Sequence, residues 1–302
     1  MNSETQKRGL IIPFMWMDQA DEGIARLNSI QPCYFLVGFK QPEEPRLIQE
    51  AMNLLEEDCS GLATMMILPR SFAQSSHISF WPKLIQAKPQ NAWICALFFA
   101  DTWEEVEHYL QNEPSKNESA DVHVSCQYQP PYTDMLELWA QAGAKPYHPG
   151  DYFKEDFLQE LKKMSGIWAY WGHSEGDRIR GYGHVTVDEL LSNSPEKQLL
   201  LSLWFTCSTL DPEVEQTIGL AWFLSGKTQS LLASPFKVKT EENQLLGRQF
   251  LNSLAQKRHE SLAEIILDLI STEDQSVSQV LNQYHLLGNP WVDLKNINLG
   301  ES

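Results

Sequence analysis

Eight apolar runs of strand length set the limits on what this chain can become. They lie at 9–14, 33–39, 61–68, 92–100, 122–128, 166–172, 199–206 and 230–236, and helical patterns fall between most of them. Strands that alternate with helices are joined by crossovers, and crossovers lay helices on the faces of a mainly parallel sheet. The expected fold class is α/β, a three-layer sandwich with a mainly parallel central sheet and helices on both faces. At 302 residues the chain is long enough to bury a large core.

The helical stretches carry their own signals. Residues 43–58 place Leu47, Ala51, Leu54 and Leu55 on one face. Thr102-Trp-Glu-Glu105 is a capping box that opens a short helix. Residues 133–142 carry Met135, Leu138, Trp139 and Ala142 at helical spacing, and Gly143 can close that helix. Asp211-Pro212-Glu213 supplies a capping acid, a proline for the first helical position and an acid for the first turn. A helix is therefore expected from 212, with Val214, Ile218, Ala221 and Trp222 as its stripe and Gly226 as its end. Further helices are expected over 240–256 and 261–270, the second turning Leu262, Ile265, Ile266 and Leu269 inward. The polar stretches 112–121 and 192–197 read as loops.

The formal charge of −17 at pH 7 argues against nucleic acid as a partner, because phosphate binding needs clustered Lys and Arg. The five cysteines, Cys33, Cys59, Cys95, Cys126 and Cys207, are odd in number and irregular in spacing, and no CxxC pair occurs. That usage suits reduced thiols in a cytoplasmic protein. No apolar run approaches membrane-spanning length. The run from Leu10 to Met17 is broken by Pro13 and closed by Asp18, so it reads as a first strand rather than a secretion signal.

Two of the runs end in residues that can do chemistry. Gly166-Ile-Trp-Ala-Tyr-Trp-Gly-His173 is followed by Gln198-Leu-Leu-Leu-Ser-Leu-Trp-Phe-Thr-Cys207, and 34 residues separate the histidine from the cysteine. That length allows a crossover between parallel neighbours. Parallel neighbours would deliver an imidazole and a thiol side by side at the sheet edge, the minimum equipment of a cysteine nucleophile and its base. A helix expected soon after Cys207 would lower its thiol pKa through its N-terminus. The bland alternatives are a buried structural thiol and a hydrogen-bonded rim histidine.

Tyr170-Trp-Gly-His-Ser-Glu-Gly-Asp-Arg-Ile-Arg180 resembles the histidine motif of caspase-like cysteine peptidases, especially the CHAT branch. Leu201-Ser-Leu-Trp-Phe-Thr-Cys-Ser-Thr209 resembles that branch's cysteine motif, and 219–226 with 230–236 is similar to the segment that follows it. Leu286-Leu-Gly-Asn-Pro-Trp291 resembles a closing motif of CHAT and gingipain-like relatives. The resemblance implies a single caspase-like domain over 1–302, with a divergent N-terminal half at 1–130 and a catalytic half at 131–302. It implies His173 as general base and acid, Cys207 as nucleophile, and the backbone N–H groups of Ser174 and Cys207 as the oxyanion hole. The substrate is then a protein or peptide, no metal or organic cofactor is required, and regulation comes from an activating protein partner or from proteolytic cleavage.

Substrate preference has two competing determinants. Strand alternation points Phe205 the same way as Cys207, which favours an apolar or uncharged residue before the cut. Asp177 and Asp211 could instead select Arg or Lys by charge, although Asp211 also reads as a helix cap. The family usually has glycine after the histidine, where this chain has Ser174. The alternative function is therefore a catalytically inactive caspase-like module that binds or regulates a partner. Other chemistry-bearing residues read as structural. His123 and Cys126 are three apart in a strand and face opposite ways, which argues against a shared metal. Glu104, Glu105, Glu107 and His108 do not form HExxH and read as a helix face.

Overall fold

Side chains in the central strands alternate between two apolar layers. Leu201, Leu203 and Phe205 join one buried cluster, together with Ile167, Ala169 and Trp171. Trp204, Trp168 and Tyr170 join another. A strand buried on both sides of its pleat must lie between two covering layers. The computed structural model describes residues 8–30, 34–39, 63–88, 91–111, 120–271 and 275–299, and it has that sandwich architecture.

In chain order the strands are β1 (Arg8–Pro13), β2 (Tyr34–Phe39), β3 (Ala63–Leu68), β4 (Ile85–Lys88), β5 (Asn91–Phe99), β6 (Ala120–Cys126), β7 (Lys145–Tyr147), β8 (Ile167–Gly172), β9 (Arg178–Ile179), β10 (Val185–Thr186), β11 (Leu199–Thr206), β12 (Thr228–Ala233), β13 (His285–Gly288) and β14 (Ile297–Asn298). The main sheet runs β14-β6-β8-β11-β12-β13-β5-β3-β1-β2, with β4 on β5 and β7 on β6, while β9 and β10 form a separate ribbon. From β6 through β8 and β11 to β12 the pairs are parallel. From β13 through β5, β3 and β1 to β2 they are parallel again. β12 and β13 meet antiparallel. Apart from β4, which pairs antiparallel with β5, the sheet is two parallel halves running in opposite directions, joined at the β12–β13 seam. β13 comes from near the end of the chain and completes the half built by β1 to β5. β6, which precedes residue 130, lies in the other half.

One layer holds the helices Met17–Ile30, Trp103–Gln111, Pro130–Gln141, Thr240–Gln256, Leu262–Ser271 and Gln275–Leu281. The opposite layer holds Lys154–Leu161, Val187–Ser192 and Ile218–Leu224, with short 3-10 turns at Arg70–Phe72 and Ser75–Phe80. Mixed composition and crossover length therefore produced the expected α/β class.

The differences are local. The helix expected at 133–142 begins three residues earlier, with proline at its first two positions, where a missing N–H costs nothing. The helix expected from 212 begins at Ile218 and is capped by Thr217, whose side chain accepts from the Leu220 N–H. Asp211 does not cap it: its carboxylate accepts from the Glu213 N–H at 3.0 Å and closes a local turn. The strand expected at 230–236 ends at Ala233. Residues 120 and 121, expected in a loop, begin β6. The helix expected at 43–58, most of the loop expected at 112–121, and Cys33 and Cys59 lie outside the described residues.

Candidate active site

β8 and β11 are parallel neighbours, with Trp171 opposite Phe205 and Gly172 opposite Thr206. One residue further along, His173 and Cys207 leave the two strands side by side. Both continue the alternation that sends Trp171 and Phe205 into the same layer. Those two rings stack with centroids 4.8 Å apart and make a rigid floor beneath the pair. His173 and Cys207 are each half-buried. They stand at the carboxyl ends of parallel strands, where open α/β sheets form their clefts.

His173 is tied on three sides. Its N–H donates to the Gln127 side-chain oxygen at 2.9 Å, and its carbonyl accepts from the Arg180 N–H. Its Nε2 lies 3.1 Å from the Tyr132 hydroxyl, and the two rings meet edge to face at 5.4 Å. Burial holds the imidazole pKa below its usual value, and the nearby Arg180 guanidinium lowers it further. A depressed pKa keeps the ring neutral near pH 7, the state a general base needs.

The Cys207 Sγ donates to the Val238 carbonyl at 3.1 Å. The next residue, Ser208, has a φ of +50°, a left-handed conformation that is uncommon for a residue with a Cβ. Its N–H donates to the Phe236 carbonyl at 2.9 Å. The chain therefore turns sharply just past the sulfur. Cys95 and Cys126 are different in kind: both are buried, and burial pushes each thiol up to about 12. Among the described cysteines, Cys207 alone has solvent access.

The loops that follow the two strands lie against each other. The Ile218 N–H donates to the Gly176 carbonyl at 2.7 Å, and the space beside Gly176 is filled by Val214 and Asp211. Ser174 sits opposite Ile179 in an antiparallel bridge, flanked by the bonds Arg180 N–H to His173 and Glu175 N–H to Arg178. In such a pair the residue's own N–H points away from the partner strand. Ser174 is not among the residues with positive φ, so its backbone makes no demand for glycine.

Phe205 corrects an expectation. It is fully buried, stacked on Trp171 and packed against Phe250. The helix Thr240–Gln256 covers it, so it offers no surface to a substrate. Asp177 is held by Arg178 through two hydrogen bonds at 2.9 and 2.7 Å, and that contact lowers its carboxyl pKa. Its charge is already countered. Asp211 is committed to its turn beside Gly176.

Sequence reasoning missed Gln127, Tyr132, Val238 and Thr240. The first two follow the end of β6, and the last two follow the end of β12. A usable signal was available: the residues after each parallel strand crowd the same edge of the sheet. Among the described residues no group of three or more His, Cys, Asp or Glu side chains could hold a metal ion. No helix among them is long and apolar enough to cross a membrane.

The model of peptidase family C25 matches residues 84–295. This chain belongs to peptidase family C25, and it is a cysteine peptidase, a hydrolase. Among solved structures it is similar to the Arg-specific cysteine proteinase gingipain R, with a TM-score of 0.68 at 10% identity over 97% of this chain and 79% of that one. It is also similar to the complex of the Porphyromonas gingivalis RgpB pro- and mature domains, with a TM-score of 0.66 at 11% identity over 95% and 79%. At such identities the likeness speaks for the caspase-like fold. Among curated proteins none matches the chain.

Proposed function

We propose that this peptidase works through a dyad of His173 and Cys207 and cleaves a specific protein partner. The observation that carries this reading is the shared register and shared face of β8 and β11. His173 takes the thiol proton, and the Cys207 sulfur attacks the scissile carbonyl carbon. The N–H groups of Ser174 and Cys207 receive the oxyanion. His173 then protonates the leaving amine, and water hydrolyses the thioester.

The reading treats the chain as one caspase-like domain that works in the cytoplasm under control of a partner or a cleavage. The Cys207–Val238 contact supports control, because the thiol must leave that carbonyl before it can be activated. The similar solved complex pairs the pro- and mature domains of RgpB, which fits control by a partner or by cleavage here. The decisive experiment labels the folded protein with a thiol-reactive peptide probe. Labelling and peptide hydrolysis should both vanish in Cys207→Ala, with a loss on the order of 10³-fold or more. Full hydrolysis by that variant would refute the dyad.

A further inference from the structure

The base has an unassigned neighbour. Tyr132 is almost wholly buried, yet its hydroxyl stands 3.1 Å from His173 Nε2 and 3.4 Å from Thr240 Oγ1. The helices carrying Tyr132 and Thr240 are themselves tied together, since the Gln244 side-chain amide donates to the Pro131 carbonyl at 2.8 Å. Cys207 lies close enough for a charge on its sulfur to oppose ionisation of the phenol.

A neutral imidazole carries one proton, and the nitrogen without it is the base. If Nε2 holds the proton, it donates to the Tyr132 oxygen, and the phenol O–H in turn donates a hydrogen bond to Thr240 Oγ1. Nδ1 is then left bare for the thiol. The same chain of donors serves the imidazolium, because Nε2–H continues to point at Tyr132 after Nδ1 has taken its proton. Burial favours the neutral phenol, so Tyr132 keeps both its donor and its acceptor function.

We propose that Tyr132, anchored by Thr240, is a positioning residue that holds His173 in the Nε2–H tautomer and so presents Nδ1 to Cys207. This rests on the His173–Cys207 reading and deepens it.

The test uses the full chain with ¹⁵N-labelled histidine. In Cys207→Ala protein, which needs no turnover, His173 should show a protonated-type Nε2 signal and an unprotonated-type Nδ1 signal. Adding Tyr132→Phe keeps the ring but removes the acceptor, and the two signals should move toward each other as the tautomers mix. In the active protein, Tyr132→Phe should lower kcat roughly tenfold to a hundredfold with little change in KM. The acid limb of its pH profile should move to lower pH, because the imidazolium loses an acceptor. Thr240→Val should act in the same direction with a smaller effect. An unprotonated Nε2 in the Cys207→Ala protein would overturn the proposal, and so would tautomer signals or a kcat indifferent to Tyr132→Phe. Full activity of Cys207→Ala would remove the dyad and this catalytic role with it, while the tautomer signals would still report whether Tyr132 orients the ring.

Discussion

At the scale of residues, the site depends on which thiol is reachable and which imidazole is neutral. Cys95 and Cys126 are sealed in the two apolar layers, whereas Cys207 is half-buried at the sheet edge. Brief alkylation of the folded protein followed by peptide mapping should therefore modify Cys207 and spare Cys95 and Cys126 until the chain is unfolded. On the proposed dyad, protonation removes His173 as the base, and burial holds its pKa below the usual 6.5. The acid limb of kcat/KM should accordingly fall below pH 6.5. Arg180 depresses that pKa by its charge, so Arg180→Gln should raise it and carry the limb to higher pH. A limb that moved the other way, or stayed put, would remove Arg180 from the electrostatics of the site. His173 and Cys207 were legible in the sequence because each ends an apolar run. Tyr132 was not, since it meets His173 from 41 residues away and nothing in its own segment announces that contact.

At the scale of elements, caps and turns decide where chains stop. The segment 211–217 contains every local signal for an early helix, yet the helix waits for Thr217. Two observed contacts hold the segment out of helix: the Asp211 carboxylate folds onto Glu213, and the Glu215 carbonyl accepts from the Ser75 hydroxyl. Thr217→Ala should cost about 1 kcal/mol in a denaturant titration, the usual worth of a lost N-cap. The closing stretch 286–291 shows the reverse, a sequence motif with a plain structural cause. Gly288 has a φ of +96°, and a Cβ there would sit 2.0 Å from the Gln229 carbonyl oxygen. Gly288→Ala should therefore destabilise by more than about 1 kcal/mol, visible as a lower denaturation midpoint with little change in slope.

At the scale of the whole molecule, the two parallel halves are held together across β12 and β13. His285 opens β13, buried, with its Nδ1 3.1 Å from the Pro82 carbonyl. Burial lowers its pKa to about 4, and burial does the same to His123 on β6. Both should be near 6.5 in the unfolded chain. Between pH 6.5 and 4 the unfolded state therefore binds more protons, so stability falls as pH drops through that window. Each histidine contributes a slope of up to about 1.4 kcal/mol per pH unit. Denaturation at pH 7 and pH 5 should show that loss, and His285→Phe should shrink it. An equal loss in the variant would assign the acid sensitivity elsewhere.

Local sequence determined the strand runs, the α/β class and the two chemical strand ends. Apolar length, alternation and crossover spacing are properties of short segments, and they survive into any compact fold. The tertiary structure alone decided the antiparallel seam, the burial of Phe205, the contact of Ser75 with the Glu215 carbonyl and the Tyr132–Thr240 contacts of His173. Each of these depends on which distant segment fills the neighbouring space. Packing partners far apart in the chain leave no mark on the periodicity of either one.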